Sequence, residues 1–324
     1  MLLLLQNVLY CLLYASLIKC AVRNDGRNCL YFYPKEYIEE VQKRGIADKE
    51  TVMKRSKWFM IPFCIIIFVV LYLMMNIHEF GKENNEIILL IHPSVVKWDY
   101  FENVIPLLQE KYHLLIPALP GYDFENDSDF TSVEQIASEL NDWLSTRGYR
   151  NLYAVYGCSM GGSVALMVTL EQRIKIEHCI MDGGITPYQL PWLMMRFIAL
   201  KDYLMIMLGR AGGISLLEKA FATDEYTKED LQYVVDVLRH CSRKTLWRTF
   251  DSCNNYKVPE PVPDMDTQIH YWCAKNEEKE RKQDIAYMKR KFPQTEFTKL
   301  PDLGHGGLVL LKPEVFSKMI CKLS

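Results

Sequence analysis

The chain of 324 residues lacks the compositional biases that mark several classes of protein. Its formal net charge is only −2, so it has no basic excess of the kind that general nucleic-acid binders show. It has no internal repeat and no low-complexity stretch, and a hydrophobic fraction of 49% is that of a globular chain rather than a disordered or fibrous one. The composition therefore predicts a globular protein with no nucleic-acid partner.

The sequence also lacks the cysteine patterns of metal sites and disulfide scaffolds. Its ten cysteines form no C-x-x-C pair and no zinc-type Cys/His spacing. Several of them lie inside apolar runs, as buried free thiols do. We therefore expect no metal site and a reducing compartment.

Two long runs without charged residues lie in the first quarter of the chain. Residues 58–76 contain no Asp, Glu, Lys or Arg, and this run is just long enough for a membrane-spanning helix. Residues 1–18 are interrupted by polar side chains and lack the basic region and cleavage site of a secretory signal peptide. The sequence predicts an N-terminal membrane module over residues 1–76, with a span at 58–76 and a second candidate span at 1–18.

The side of the membrane on which the rest of the chain lies stays open. The segment between the two runs, residues 19–57, holds ten Lys/Arg and six Asp/Glu. The positive-inside rule places this segment in the cytoplasm, and a single span would then place the remaining chain outside. The free thiols of the remaining chain favour the opposite side. The predicted localisation is therefore membrane-anchored, with no side assigned.

From residue 77 onward, apolar strand patterns alternate with helical ones. Such alternation predicts an α/β domain over residues 77–324 with a doubly wound, mostly parallel sheet. Residues 186–262 interrupt the alternation with helical segments, which predicts a helical cap over the carboxyl edge of the sheet, where ligands bind in such folds. The predicted strands are 76–80, 87–91, 113–117, 152–156, 176–181, 269–273 and 296–300, and the predicted helices outside the cap are 99–111, 132–147, 160–172, 278–291 and one after Pro313.

The most specific motif is a G-x-S-x-G sequence at residues 157–161 (GCSMG), directly after a predicted strand and before a predicted helix. In that context the pattern is typical of a nucleophile elbow, where a serine occupies a strained turn. Glycines two residues before and after Ser159 remove side chains that would collide with the neighbouring strand and helix. The helix N-terminus places free N–H groups beside the serine oxygen.

Three loop sequences after predicted strands extend this pattern: residues 90–94 (LIHPS), 117–123 (PALPGYD) and 157–161. Together with a late histidine, they resemble the α/β-hydrolase superfamily over about residues 77–324. The resemblance implies the α/β-hydrolase fold, a serine nucleophile and acyl-transfer chemistry. It does not imply a substrate.

A serine nucleophile needs a general base and an acid that orients the base. The family order is serine, acid, histidine, and His305 lies in a glycine-lined loop after the last predicted strand. Glu277, after the penultimate strand, is the predicted acid, although the family more often has Gly-x-x-Asp there. Glu278 and Asp182 remain alternatives.

The oxyanion hole requires two backbone N–H donors. One is expected from Met160, directly after the nucleophile. The other should come from the loop after the first core strand, where Pro93 has no N–H to donate and Ser94 is the predicted donor, with Val95 next.

These residues predict a serine hydrolase that cleaves a carboxylic ester, or a related thioester or amide bond, in a small-molecule acyl substrate. The reaction requires no metal and no cofactor. The alternative is a non-catalytic member of the same fold that binds a hydrophobic ligand or a protein partner. Labelling of Ser159 by a serine-reactive probe would separate the two.

Overall fold

The computed structural model describes residues 75–187, 191–220, 227–300 and 303–323. Seven strands form one sheet in the order β1-β3-β2-β4-β5-β6-β7, and every pair is parallel except β1 with β3. Each predicted strand is present. The strands are β1 (Asn76–Phe80), β2 (Ile87–Ile91), β3 (His113–Ala118), β4 (Asn151–Cys158), β5 (Lys175–Asp182), β6 (Gln268–Ala274) and β7 (Glu296–Leu300).

The helices follow the predicted alternation. They are α1 (Ile105–Leu108), α2 (Val133–Thr146), α3 (Met160–Leu170), α4 (Trp192–Gly212), α5 (Ile214–Ala220), α6 (Lys228–His240), α7 (Arg243–Asn255), α8 (Lys282–Lys291), α9 (Gly307–Leu311) and α10 (Pro313–Ile320). Two short 3₁₀ turns, Trp98–Phe101 and Lys275–Glu277, complete the described elements.

One predicted helix was wrong. Residues 99–111 do not form a continuous helix but a 3₁₀ turn followed by the four-residue helix α1. The cause is Pro106, which has no N–H for a helical hydrogen bond and is tolerated only in a first turn. Helix α1 therefore begins at Ile105, with the proline in its first turn.

The sheet lies between two apolar layers. Side chains of β2 alternate between them, because successive strand residues point to opposite faces: Leu89 and Ile91 belong to one core cluster, and Ile88 and Leu90 to the other. Helices α2, α3 and α8 contribute to the first cluster, and α1 and α10 to the second. All residues of α3 are buried, which is the reason its sequence is apolar on every face.

In the described parts of the predicted cap at 186–262, four helices, α4 to α7, lie between β5 and β6. Helix α7 packs on α4 through the rings of Tyr203 and Trp247 and through an ion pair of 2.6 Å between Arg196 and Asp251. A hydrogen bond of 2.9 Å between the hydroxyls of Tyr122 and Thr249 ties α7 to the loop after β3. The cap is thus fastened at the carboxyl edge of the sheet.

The predicted membrane spans at 1–18 and 58–76 lie outside the described residues, apart from the last two residues of the second run. Met75 is buried in the core of the α/β unit, and Asn76 begins β1, so the second run ends inside the fold. Within the described ranges, none of the helices combines the length and the apolar character needed to cross a bilayer.

Candidate active site

Ser159 occupies a sharp turn between β4 and α3. Its backbone has φ +52° and ψ −117°, a conformation rare for any residue other than glycine. A Cβ at Gly157 would lie 2.0 Å from the carbonyl oxygen of Gly161, and a Cβ at Gly161 would lie 2.3 Å from that of Ile91. Only glycine therefore fits at both flanking positions. The Ser159 N–H donates to the Asp182 carbonyl at 2.8 Å, which holds the turn against the end of β5.

Of the two predicted oxyanion donors, Met160 begins α3 and Ser94 lies in the loop after β2. A Cβ at Gly161 would also lie 2.8 Å from the His92 carbonyl, so the start of α3 contacts the loop after β2. In the described part of the chain, neither the Met160 N–H nor the Ser94 N–H has a backbone acceptor in a turn, loop or cap. Val95, next in the same loop, has φ +61°, which is strained for a β-branched side chain.

His92 fastens the loop after β2. Its Nδ1 lies 2.8 Å from the Pro93 carbonyl oxygen, which can only accept, so Nδ1 carries the proton. Its Nε2 then accepts from the Leu119 N–H at 3.4 Å. Because the ring is fully buried, its pKa is lowered to about 4, and the ring is neutral near pH 7.

Glu277 and His305 form a hydrogen-bonded pair. The imidazole Nδ1 donates to Glu277 Oε2 at 2.5 Å, while Oε1 accepts from the Ala274 N–H at 3.0 Å. Glu277 is buried, and the His305 side chain is 39% exposed. A Cβ at Gly183 would lie 2.9 Å from two ring atoms of His305, so the glycine after β5 makes room for the ring.

The two alternative acids have other partners. Asp182 accepts from the Tyr156 hydroxyl at 2.7 Å and is buried. Glu278 is half-exposed and pairs with Lys299 at 2.7 Å. Of the three predicted acids, only Glu277 is hydrogen-bonded to His305 among the residues that the structure describes.

The loop that carries His305 lies against the elbow. The Tyr100 hydroxyl donates to the Gly306 carbonyl at 2.7 Å, and a Cβ at Gly306 would lie 3.6 Å from Cys158 Sγ, one residue before the serine. In the described ranges no hydrogen bond joins Ser159 Oγ to the imidazole. Such bonds are often long in an enzyme without substrate and tighten when substrate binds.

The electrostatics of the two carboxylates differ. Burial would raise the pKa of Glu277, but the hydrogen bond and charge of His305, the Ala274 N–H and the Arg281 guanidinium together hold that pKa below its usual value. Burial raises the pKa of Asp182 to about 6, although the hydrogen bond from Tyr156 opposes the shift. Glu277 is therefore the more strongly ionised of the two near neutral pH.

Sequence reasoning missed two side chains that hold the site. Tyr100 supports the His305 loop, and Arg281 lies 3.6 Å from Glu277 Oε2. Tyr100 is far in sequence from its partner Gly306, and Arg281 follows Glu277 by four residues in a turn that matches no motif. The available signal for Tyr100 was its position two residues after Trp98, in a loop at the carboxyl edge of the sheet.

A cavity of about 600 Å³ lies between the loops after β2 and β3 and the cap helices α5 and α6. It is lined by Lys97, Phe124, Ile214, Lys228, Glu229, Gln232, Tyr233, Asp236 and Val237. Its wall contains polar, charged and apolar side chains but none of the predicted catalytic ones. Among the described residues there is no group of three or more His, Cys, Asp or Glu side chains arranged to hold a metal ion.

Residues 88–319 match the sequence pattern of the alpha/beta hydrolase family. This match spans well over half of the chain. The chain belongs to that family. The predicted superfamily membership and the predicted α/β-hydrolase fold are thereby confirmed. The chemistry of this family is therefore the basis for interpreting the site.

Two curated relatives of this chain are distant from it in sequence. It is 32% identical to an uncharacterized hydrolase from Saccharomyces cerevisiae over 111 residues, which cover 33% of this chain and 37% of that protein. It is 24% identical to a pimeloyl-[acyl-carrier protein] methyl ester esterase from Nitrosomonas europaea over 108 residues, 33% of this chain and 41% of that protein. The aligned segments thus span less than half the length of both relatives.

Solved structures repeat the same fold. A thermophilic esterase from Thermogutta terrifontis, solved with malate bound, is similar to this chain with a TM-score of 0.58 and 15% identity. The similarity covers 76% of this chain and 91% of that one. At this identity the likeness extends to the fold alone, so the substrate has to be argued from the site.

Proposed function

We propose that this hydrolase cleaves a carboxylic ester, or a related acyl bond, through a Ser159–His305–Glu277 triad. One observation carries the proposal. A buried, ionised carboxylate is hydrogen-bonded to the histidine of the loop that lies against the nucleophile elbow. That pairing holds one imidazole tautomer, in which Nε2 is free to take a proton from the serine.

The reaction then follows from these positions. Ser159 Oγ attacks the carbonyl carbon of the substrate while His305 Nε2 takes the hydroxyl proton. The N–H groups of Met160 and Ser94 donate to the oxyanion that forms. His305 then protonates the leaving alkoxide, and a water molecule, deprotonated by the same imidazole, releases the acyl group from Ser159. Glu277 stays ionised throughout and stabilises the imidazolium.

A fluorophosphonate probe tests the nucleophile. The full chain should be labelled, and Ser159→Ala should abolish labelling and lower the hydrolysis rate of a p-nitrophenyl ester by at least about 10⁴-fold. His305→Ala should be nearly as severe, because base and nucleophile act as a unit. The melting temperature of Ser159→Ala should match that of the wild type. Labelling that persists in Ser159→Ala would refute the elbow assignment, and a wild-type chain that is never labelled would favour the alternative of a ligand-binding protein.

The acid is tested by a matched pair of amide substitutions. Glu277→Gln should lower kcat by about 10³ to 10⁴-fold, because the amide no longer stabilises the imidazolium. Asp182→Asn removes a buried carboxylate that faces Tyr156 and should cost about tenfold or less. The reverse order of the two losses would move the acid to the end of β5.

The substrate class is tested with p-nitrophenyl esters of increasing acyl chain length. We propose small-molecule esters, with thioesters and amides as the neighbouring classes. The curve of kcat/KM against chain length should have a maximum that reports the size of the acyl pocket. A flat curve without saturation would instead indicate a reactive serine with no specific acyl site.

We also propose that the chain before the α/β domain, residues 1–74, anchors the hydrolase to a membrane. The support is the part of the charge-free run that precedes the fold, residues 58–74, whose length is at the short end of what a span needs. The full chain should remain in the membrane pellet after alkaline carbonate extraction. Release into the supernatant would exclude an integral anchor.

A further inference from the structure

Behind the Glu277–His305 pair lies a second charged pair. Arg281 Nε is 3.6 Å from Glu277 Oε2, the same oxygen that accepts from His305. Arg281 Nη1 is 3.2 Å from Asp284 Oδ2. The other Asp284 oxygen accepts from the Thr186 N–H at 2.7 Å and from its hydroxyl at 2.8 Å. A continuous row of alternating charges therefore runs from the imidazole to the loop after β5.

The charged side chains of this row are buried, and moving charges out of water costs folding free energy. Asp284 has no exposed side-chain surface, and the side chains of Glu277 and Arg281 are 4% and 15% exposed. A pair of buried charges rarely adds net stability relative to apolar residues of similar size. The Arg281 N–H already fixes the turn by donating to the Glu277 carbonyl at 2.9 Å, so the side chain is not needed to close that turn.

We infer that Arg281, held in place by Asp284, is a positioning residue that sets how strongly Glu277 binds the protonated form of His305. The inference rests on the triad of the proposed function. Arg281 and His305 share one carboxylate oxygen. The positive guanidinium and the imidazolium interact with the same negative charge, so the guanidinium weakens the attraction between Glu277 and the imidazolium.

The buried Tyr256 hydroxyl, whose pKa burial raises, lies near Asp284, and other titratable groups on neighbouring strands surround the Glu277–His305 pair. Burial raises the pKa of the hydroxyls and thiols that face it from β4 and β6, so they stay uncharged over the pH range of activity. These groups are Tyr156, Cys158, Tyr271 and Cys273. Asp182, on β5, is the remaining carboxylate near both members of the pair. It is unchanged in the variants below, and the key comparison can be repeated in an Asp182→Asn background.

The test is the pH dependence of kcat/KM of the full chain on a p-nitrophenyl ester, whose acidic limb reports the base in the free enzyme. Arg281→Gln should move this limb to higher pH by about one unit, because Glu277 then attracts the imidazole proton more strongly. Asp284→Asn leaves the guanidinium uncompensated and should move the limb in the opposite direction. Arg281→Lys keeps the charge and should restore the wild-type midpoint.

Lys282→Gln is the matched control, since it removes one positive charge at the next residue, on an exposed side chain. Its limb should coincide with that of the wild type. A limb that stays in place in Arg281→Gln, with kcat/KM lowered equally at every pH, would overturn the inference and leave a structural role. If Arg281→Gln does not fold, the inference is tested by the direction in which the acidic limb moves in Asp284→Asn and by whether Arg281→Lys keeps the wild-type midpoint.

The outcome also separates this inference from the proposed function. A wild-type chain with no Ser159-dependent hydrolysis would refute the triad, and the role of Arg281 would fall with it. Hydrolysis that requires Ser159 and His305 but responds identically to pH in all four variants would refute the role of Arg281 alone.

Discussion

At the elbow after β4, Ser159 has φ +52° and a glycine two residues away on each side. In the loop after β2, Val95 has φ +61° with no glycine within two residues. The elbow is strained because its neighbours leave no room for side chains: the backbone of β2 lies within 2.3 Å of where a Cβ of Gly161 would be. The loop after β2 is instead held by a buried histidine, His92, which links it to the start of the loop after β3.

Backbone strain in this candidate site is therefore held in two ways. Close backbone packing requires glycine and so leaves a motif in the sequence. A side-chain clamp can hold a strained residue of almost any type, because the cost of about 1–3 kcal/mol is offset by contacts elsewhere. The first kind of turn is visible in a sequence, and the second is not.

Gly161→Ala should give the largest effect, because the added Cβ would meet backbone atoms of β2 that cannot move independently of the sheet. We expect a loss of unfolding free energy of about 2–4 kcal/mol and a fall of at least about 10²-fold in kcat/KM. Urea unfolding and ester hydrolysis measure both. Gly209→Ala, in α4, is the control, because its Cβ would meet only side-chain atoms at ordinary contact distances, Leu217 Cδ2 at 3.4 Å and Leu238 Cδ1 at 3.9 Å. Equal effects of the two substitutions would refute the packing argument for the elbow.

His92→Gln tests the clamp. The folded-state pKa of His92, about 4, lies below its unfolded value of about 6.5, so the unfolded state takes up the proton first as the pH falls. The contribution of the neutral ring to the free energy of unfolding is therefore fully present above about pH 6.5. That contribution, roughly 3 kcal/mol, is lost as the pH falls toward 4. His92→Gln should remove that part of the pH dependence and lower kcat/KM by about 10²-fold through a displaced Ser94 N–H.

The control for the clamp is His178→Gln on β5. Burial also lowers the pKa of His178, so this substitution should likewise reduce the loss of stability at acid pH. His178 pairs with His270, away from the loop after β2, so its loss should leave kcat/KM within about twofold of the wild type. If His92→Gln keeps full activity, the loop after β2 does not depend on its histidine.

Val95→Gly should give the smallest effect. Glycine adopts a positive φ without strain, but it also gains more entropy in the unfolded chain, so we expect a net stabilisation of no more than about 1 kcal/mol. Gln172→Gly, at φ +50° after α3, is the matched control. The two should alter the melting temperature similarly, while only Val95→Gly should change kcat/KM, by a few-fold. A marked destabilisation by Val95→Gly would mean that the valine side chain, not the clamp, holds the loop.

Much of the fold could be predicted from local pattern. Apolar runs of strand length between helical segments placed all seven strands, and Ser132 with the apolar spacing after it placed α2, where the serine caps the Gln135 N–H. The interrupted helix at 99–111 was predictable as well, since Pro106 was visible in the sequence.

Local pattern alone predicts the strands of this protein and most of its helices, and it singles out the residues of the proposed nucleophile and base: a glycine-flanked serine after a strand, and a late histidine in a glycine-lined loop. Tertiary packing decided which carboxylate meets His305, since Asp182 ends β5 while Glu277 and Glu278 lie just beyond the end of β6, at the same edge of the sheet. It also decided the strain at Val95 and the place of Arg281 behind the acid. The physical reason is that glycine requirements and side-chain periodicity are local constraints, whereas the partner of a buried charge depends on distances between segments that only the packed sheet brings together.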